Sequence, residues 1–294
     1  MRRKGVRRSP PLGGGFKSHS QYCAMYNNPG STIGSFEQIA MLTDFKKHLD
    51  QLQLESVFRD LGVSDPTALA RTVKHFTTKE GEKRDKIVLD YFGKGGIERI
   101  VDVVTEFLLE PPKLPENPKI LDVGAGSGFF TVKVAKKVLL KCPKADFYAL
   151  DLTPAMLLSL AKKKIQIAPF IGIAENIKGS IEHARSYCDI PLSFDAVFST
   201  LMLHHSTEPE RVFESIQKVL KANGKAMIVD MMEHSFKEFK AQMGDVHLGF
   251  KLESVYEMAQ KHFPAVQIEK ISGICCECLG RSAEIFAAVV RNRA

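Results

Sequence analysis

The sequence predicts an α/β protein: a doubly wound, seven-stranded sheet, mostly parallel, with a C-terminal antiparallel hairpin and a preceding N-terminal helical segment. Three observations predict it. From residue 119 onward short apolar strands alternate with helical stretches, and that alternation argues for a parallel sheet covered on both faces. A glycine-rich turn follows the first strand directly. The last two strands are joined by the ten residues 273–282, too few for a parallel crossover, so they pair antiparallel.

Taken in order, residues 1–36 contain no Asp or Glu and six basic residues, Arg2, Arg3, Lys4, Arg7, Arg8 and Lys17. Rich also in Gly, Pro and Ser, this stretch reads as a disordered basic tail. Its composition fits an organelle transit peptide as well. Residues 37–109 read as helices. Asp65-Pro66 marks one start, an N-cap acid followed by proline at the first helical position. Ile100, Val103, Val104 and Phe107 recur at helical spacing. Pro111, Pro112 and Pro115 then break the chain. The expected parts are thus 1–36, 37–116 and 117–294.

The strand candidates are KILDVG (119–124), DFYALDL (146–152), ENIKGSI (175–181), FDAVFST (194–200), KAMIVDM (225–231), VQIEKIS (266–272) and AEIFAAVV (283–290). The clearest intervening helix is 208–222, where Val212, Phe213, Ile216, Val219 and Leu220 form one apolar stripe closed by Gly224. The connection GICCECLGRS reads as loop.

Composition narrows the function. In 294 residues, 44% hydrophobic and 26% charged content is that of a soluble globular chain. No apolar run reaches the roughly 18 residues of a membrane span. The net charge of +7 belongs to the tail. Six of the 41 basic residues lie there, which leaves 35 against 34 acidic ones. A near-neutral body argues against a nucleic-acid partner. The cysteines at 23, 142, 188, 275, 276 and 278 form no paired CxxC framework and no secretory segment precedes them. They are expected as reduced thiols of an intracellular, cytoplasmic protein. Cys275, Cys276 and Cys278 supply three thiolates where structural zinc takes four ligands, so no metal is expected. The lysines at 136, 137, 141 and 162–164 read as solvated helix faces.

The glycine turn carries the chemistry. It reads ILDVGAGSGFF over 120–130. Gly124, Gly126 and Gly128 let a ligand approach bare backbone, and the helix that follows points its N-terminal amides at negative charge. The dinucleotide fingerprint is GxGxxG, but here the third glycine comes one residue early and Phe129 stands in its place. Asp122 precedes the turn, where a carboxylate repels pyrophosphate and attracts an ammonium or sulfonium. Asp151 ends the next strand, 27 residues after Gly124, and can accept from both hydroxyls of a ribose. The turn suits a zwitterionic amino acid joined to a nucleoside.

With LDVGAGSG, the strand-end acid of YALDLTPAML, and FDAVFSTLMLHHSTEPERVFESIQKVLKANGKAMIVD, residues about 117–292 resemble a class I S-adenosylmethionine (SAM)-dependent methyltransferase. The likeness is to the small-molecule type of the menaquinone and ubiquinone methyltransferases. It implies SAM as cofactor, a small-molecule methyl acceptor and a seven-stranded sheet whose last strand runs antiparallel. Gly124, Gly126 and Gly128 would line the methionine end, Asp151 would hold the ribose, and Leu152 would cover the adenine. Ser180 and Ile181 fall where the family often has an acid and an apolar neighbour on adenine, serine being a departure. Ser199 would sit under the methionine. Residues 37–116 take the position of an N-terminal lid and 117–294 that of the SAM-binding domain.

His204 and His205, past the fourth strand, are the candidate catalytic bases, since ligands lie at that edge of open α/β sheets and histidine has a suitable pKa. Asp230, Glu233 and His234 follow the fifth strand. His247 either faces substrate or caps the next helix. Competing readings are an RNA or protein methyltransferase, a nicotinamide-dependent oxidoreductase, which Phe129 opposes, and a SAM-binding protein without chemistry.

Overall fold

The computed structural model describes residues 46–293 apart from 48, 51, 75–77, 164, 238–244 and 279–280. The basic tail at 1–36 and the side chains of Cys275, Cys276 and Cys278 lie outside the described residues. Before the first strand the described residues include the helices α1 (Leu54–Asp60), α2 (Pro66–Lys74) and α3 (Thr78–Leu109). Asp65 starts α2 as expected, its Oδ1 accepting from the Ala68 N–H at 2.9 Å. The long α3 bends at Gly93, whose φ of 62° leaves the helical region.

The alternating part runs β1 (Lys119–Val123), α4 (Phe129–Leu139), β2 (Asp146–Asp151), α5 (Pro154–Ala161), β3 (Ile167–Ile171), α6 (Ile177–Ala184), β4 (Phe194–Thr200), α7 (Pro209–Val219) and β5 (Leu220–Met231). It ends with α8 (Leu252–Gln260), β6 (Ala265–Cys278) and β7 (Arg281–Arg291). The seven strands lie in the order β3-β2-β1-β4-β5-β7-β6. β1 to β5 pair in parallel, and β7 runs antiparallel between β5 and β6. The order reverses between β1 and β4, which opens a crevice at the strand ends.

Side-chain alternation along each strand divides the core into two layers. On β1, Ile120 faces α1–α3, α4 and α5. Leu121 and Val123 face α6, α7 and α8. The helical segment thus shares a core with one face of the sheet. Lys225 of β5 is buried and ties the two together, donating to the carbonyls of Phe107 (2.7 Å) and Glu110 (2.6 Å). Those carbonyls belong to the end of α3, where backbone acceptors have no partner within the helix.

Two expectations need correction. Residues 175–181 are not the third strand. A 3-10 turn at Ala174–Asn176 leads there into α6. The Asn176 side chain accepts from the Gly179 N–H as its N-cap, and Ile177, Ser180, Ile181 and Ala184 fill one buried face. The strand is instead IAPFI, all five residues buried. Residues 273–282 are also not a loop. β6 continues to Cys278 and β7 begins at Arg281, with a register shift between Lys270 and Cys275.

Candidate active site

A cavity of about 390 Å³ lies at the C-terminal ends of β1, β2, β4 and β5, under α2 and α3. Its floor is the glycine turn. Gly124, Gly126 and Gly128 all have positive φ (74°, 56° and 76°). A Cβ on Gly124 would meet Met202 at 2.1 Å, whereas one on Gly126 would project into open space. The turn is bound back to the sheet, since the N–H groups of Gly124 and Ala125 both donate to the Leu150 carbonyl. Asp151 completes it. Its two oxygens accept from the N–H groups of Gly126 and Thr153, each at 2.8 Å. Burial nevertheless raises its pKa, against those bonds and the nearby charge of Arg84.

The other end of the cavity is built after β4 and β5. His204 and His205 sit on a 3-10 turn (Leu203–His205). The buried Asp230 holds the first ring by a 2.6 Å contact from Oδ1 to Nδ1, so Nε2 faces the cavity. Burial lowers the His204 pKa, but Asp230 and then Asp245 more than offset this, and the net shift is upward. Asp245 lies 3.7 Å from His204 Nε2 and 3.8 Å from His205 Nδ1. Neither of its oxygens has a hydrogen-bond partner among the described residues. Burial raises its pKa, against His204 and Arg84. Arg84 of α3 reaches in from above, 3.3 Å from His205 Nε2. Desolvation lowers the Arg84 pKa, against the charges of Asp245 and Asp151.

The structure brings six of the eleven sequence-predicted site residues to this wall: Gly124, Gly126, Asp151, Leu152, His204 and His205. Asp122 is behind the turn. It is 1% exposed, its Oδ2 accepts from the Thr131 hydroxyl at 2.6 Å, and it is not on the wall. Gly128 turns toward Leu160. Ser199 bonds the Val123 carbonyl at 2.7 Å and braces β4 on β1. Ser180 and Ile181 are corrected outright: they lie on α6, where the Ser180 hydroxyl accepts from the Ile173 N–H and donates to the Asn176 carbonyl. The wall there is Gly172, Ala174 and Glu175. Glu233, His234 and His247 line a separate, open depression with Ser235 and Gly249.

Sequence reasoning missed Arg84, Asp85 and Asp245. Asp85 bonds Ser127 of the turn and pairs with Lys163 at 2.8 Å. None of the three stands in a motif, and only the fold brings them to the cavity.

A family profile described as "Methyltransferase domain" matches residues 114–271, more than half of the chain. The chain belongs to this family. The motif resemblance to class I SAM-dependent methyltransferases holds, as does the expected sheet with its antiparallel end. Among curated relatives, malonyl-acyl-carrier-protein O-methyltransferase of Legionella pneumophila is 30% identical over 122 residues, 42% of this chain and 39% of that protein. The mitochondrial ubiquinone biosynthesis O-methyltransferase of Schizosaccharomyces pombe is 31% identical over 111 residues, 37% of this chain and 36% of that protein. The methyltransferase domain thus matches well under half of either relative. In fold it resembles the methyltransferase solved with the Trm112 activator of Haloferax volcanii, with a TM-score of 0.50, 15% identity, and coverage of 72% of this chain and 95% of that one.

The family's cofactor is SAM, and the residues present fit it. The space before Gly126 is one that any side chain would fill. The Asp151 carboxylate has acceptor capacity beyond its two backbone bonds. No helix among the described residues is long and apolar enough to cross a membrane.

Proposed function

We propose that this domain transfers the methyl group of SAM to a small-molecule acceptor held between the sheet edge and α2–α3. The observation that carries this reading is one continuous cavity, with the glycine turn and Asp151 at one end and His204, His205 and Asp245 at the other. SAM supplies a methyl on a sulfonium, a good leaving group. The chain's own task is alignment, which can contribute ~7–11 kcal/mol. Asp151 would accept from the ribose hydroxyls, Gly124 and Gly126 would admit the amino-acid end, and Leu152 would cover the base. Leu69, Val73, Val88, Tyr91 and Phe92 of α2 and α3 line the cavity with apolar surface, which supports reading the helical segment as a lid over the sheet domain. At the far end the acceptor would give its proton to solvent, and its lone pair would take the methyl carbon as the carbon–sulfur electrons leave with sulfur.

Calorimetric titration of the full chain with SAM tests this, followed by label transfer from isotopic SAM to a metabolite panel. SAM should bind and NAD should not. Asp151→Ala should lose a charge-assisted contact of ~1.5–3 kcal/mol, or roughly ten- to hundredfold in affinity. Unchanged SAM affinity in that variant would count against the assignment.

A further inference from the structure

We infer that His204, His205 and Asp245 form a binding site for a divalent transition-metal cation, and that the acceptor reaches the methyl group as an oxygen ligand of that cation. The inference rests on the methyltransferase reading and specifies how its acceptor end works.

Four observations carry it. The ligand atoms, one from each of the three residues, lie within 4.8 Å of one another. Asp245 Oδ1 is shared between the two imidazoles, 3.7 Å from His204 Nε2 and 3.8 Å from His205 Nδ1. These separations are too long for hydrogen bonds. They are close to the roughly 3.3 Å between ligand atoms that bonds of about 2.0–2.1 Å give in a tetrahedral site. Asp245 is 5% exposed, and both of its oxygens lack a donor among the described residues. A buried carboxylate left without donors is costly, and coordination to a cation is one of the two ways such groups are satisfied. Finally, Asp230 already holds His204 from behind through Nδ1 at 2.6 Å, and also accepts from the N–H groups of His204 and Met231. A carboxylate on the far nitrogen of a ligating imidazole fixes the tautomer and strengthens the donor.

The ligand set selects the metal. Two imidazoles and one carboxylate suit zinc, iron(II) or cobalt(II) rather than magnesium or calcium, and three protein ligands leave a position for a further oxygen. That position faces the cavity. A hydroxyl bound there has its pKa lowered and gives up its proton to solvent. The chemical class implied is an oxygen acceptor, a phenol, enol or hydroxy acid. Arg84 is the counter-device. With His205 Nδ1 on a cation, the ring proton sits on Nε2, so the guanidinium must turn away from its 3.3 Å contact. Its charge opposes the cation and favours an anionic acceptor.

The test uses the full chain with cobalt(II) as probe, in the presence and absence of zinc. The site should take up about one equivalent of cobalt with visible d–d absorption that zinc abolishes. Asp245→Asn should weaken cobalt binding ten- to hundredfold or more, and Asp230→Asn ~10–100-fold through His204. Arg84→Met, which removes a positive charge, should tighten it severalfold; a merely structural arginine would not. SAM titration and melting temperature are measured on the same samples. SAM binding without stoichiometric cobalt, or cobalt affinity indifferent to Asp245→Asn in a variant that still binds SAM, overturns the cation site and leaves the methyltransferase reading standing. Failure of the unaltered chain to bind SAM overturns the methyltransferase reading, and this inference with it.

Discussion

Asp122 is a carboxylate placed where water does not reach. Burial is the main cause that raises its pKa from 3.8 to about 7. The Thr131 hydroxyl partly offsets the shift and the charge of Asp151 adds to it. An acid whose folded pKa exceeds its unfolded one contributes stability in full below pH 4, and loses it as pH rises toward 7. Without SAM, the urea midpoint of the wild-type chain should carry a component that falls between pH 4 and pH 7, and Asp122→Asn should remove it. An identical pH profile in the two proteins would show that Asp122 is not the source. The same residue shows what the sequence can carry. An acid two positions before the turn is legible as a feature of the motif, but its face is not. Alternation along β1 sends Asp122 into the layer that holds α4, where Thr131 meets it. Asp151, by contrast, ends its strand and so reaches the cavity, as its position implies. The place of His204 and His205 on the cavity was legible because they follow β4 at the ligand edge. That of Asp245 was not, because it reaches the cavity only once a segment about 40 residues further along folds against them.

At the scale of elements, α3 is held near each end by one polar side chain that makes two contacts. Near its start, Asp85 is tied to Ser127 and Lys163. At its finish, the Lys225 ammonium takes two carbonyls. Burial is the main cause lowering the Lys225 pKa from 10.5 to about 8, with Arg291 adding and Glu110 opposing. Its depressed pKa makes the lysine's contribution to stability rise between pH 8 and pH 10.5. Lys225→Met takes the donor from two carbonyls, one buried and one part-buried. It should cost about 1–3 kcal/mol at pH 7 and abolish that alkaline rise, both read from denaturant midpoints at pH 7 and pH 10. Elements also mark where sequence reading failed. Pro169 sits inside IAPFI, and proline argues against a central strand. β3 is an edge strand, which is where a proline is tolerated. The apparent alternation of ENIKGSI then supplied a false substitute. The Asn176 cap was the signal that could have corrected it.

Across the whole molecule, the parallel sheet and its antiparallel end were readable, because glycine turns, strand-end acids and short connections are local signatures of a known architecture. What remained hidden was how the helical segment shares its core with the sheet, since α1–α3 carry no motif and their partners lie far along the chain. The edge order carries one further consequence. β6 precedes β7 in sequence yet lies outside it, and among the described residues it pairs with no other strand. During synthesis β6 therefore emerges as a solitary ribbon, with both of its edges open, and must wait for residues 281–291 to slide between it and β5. Ribosome-stalled chains should accordingly resist protease over residues 119–231 before they do so over 265–278, and the second protection should arrive only once Arg291 has cleared the exit tunnel. A nascent chain that protects β6 earlier would mean that it finds another neighbour first.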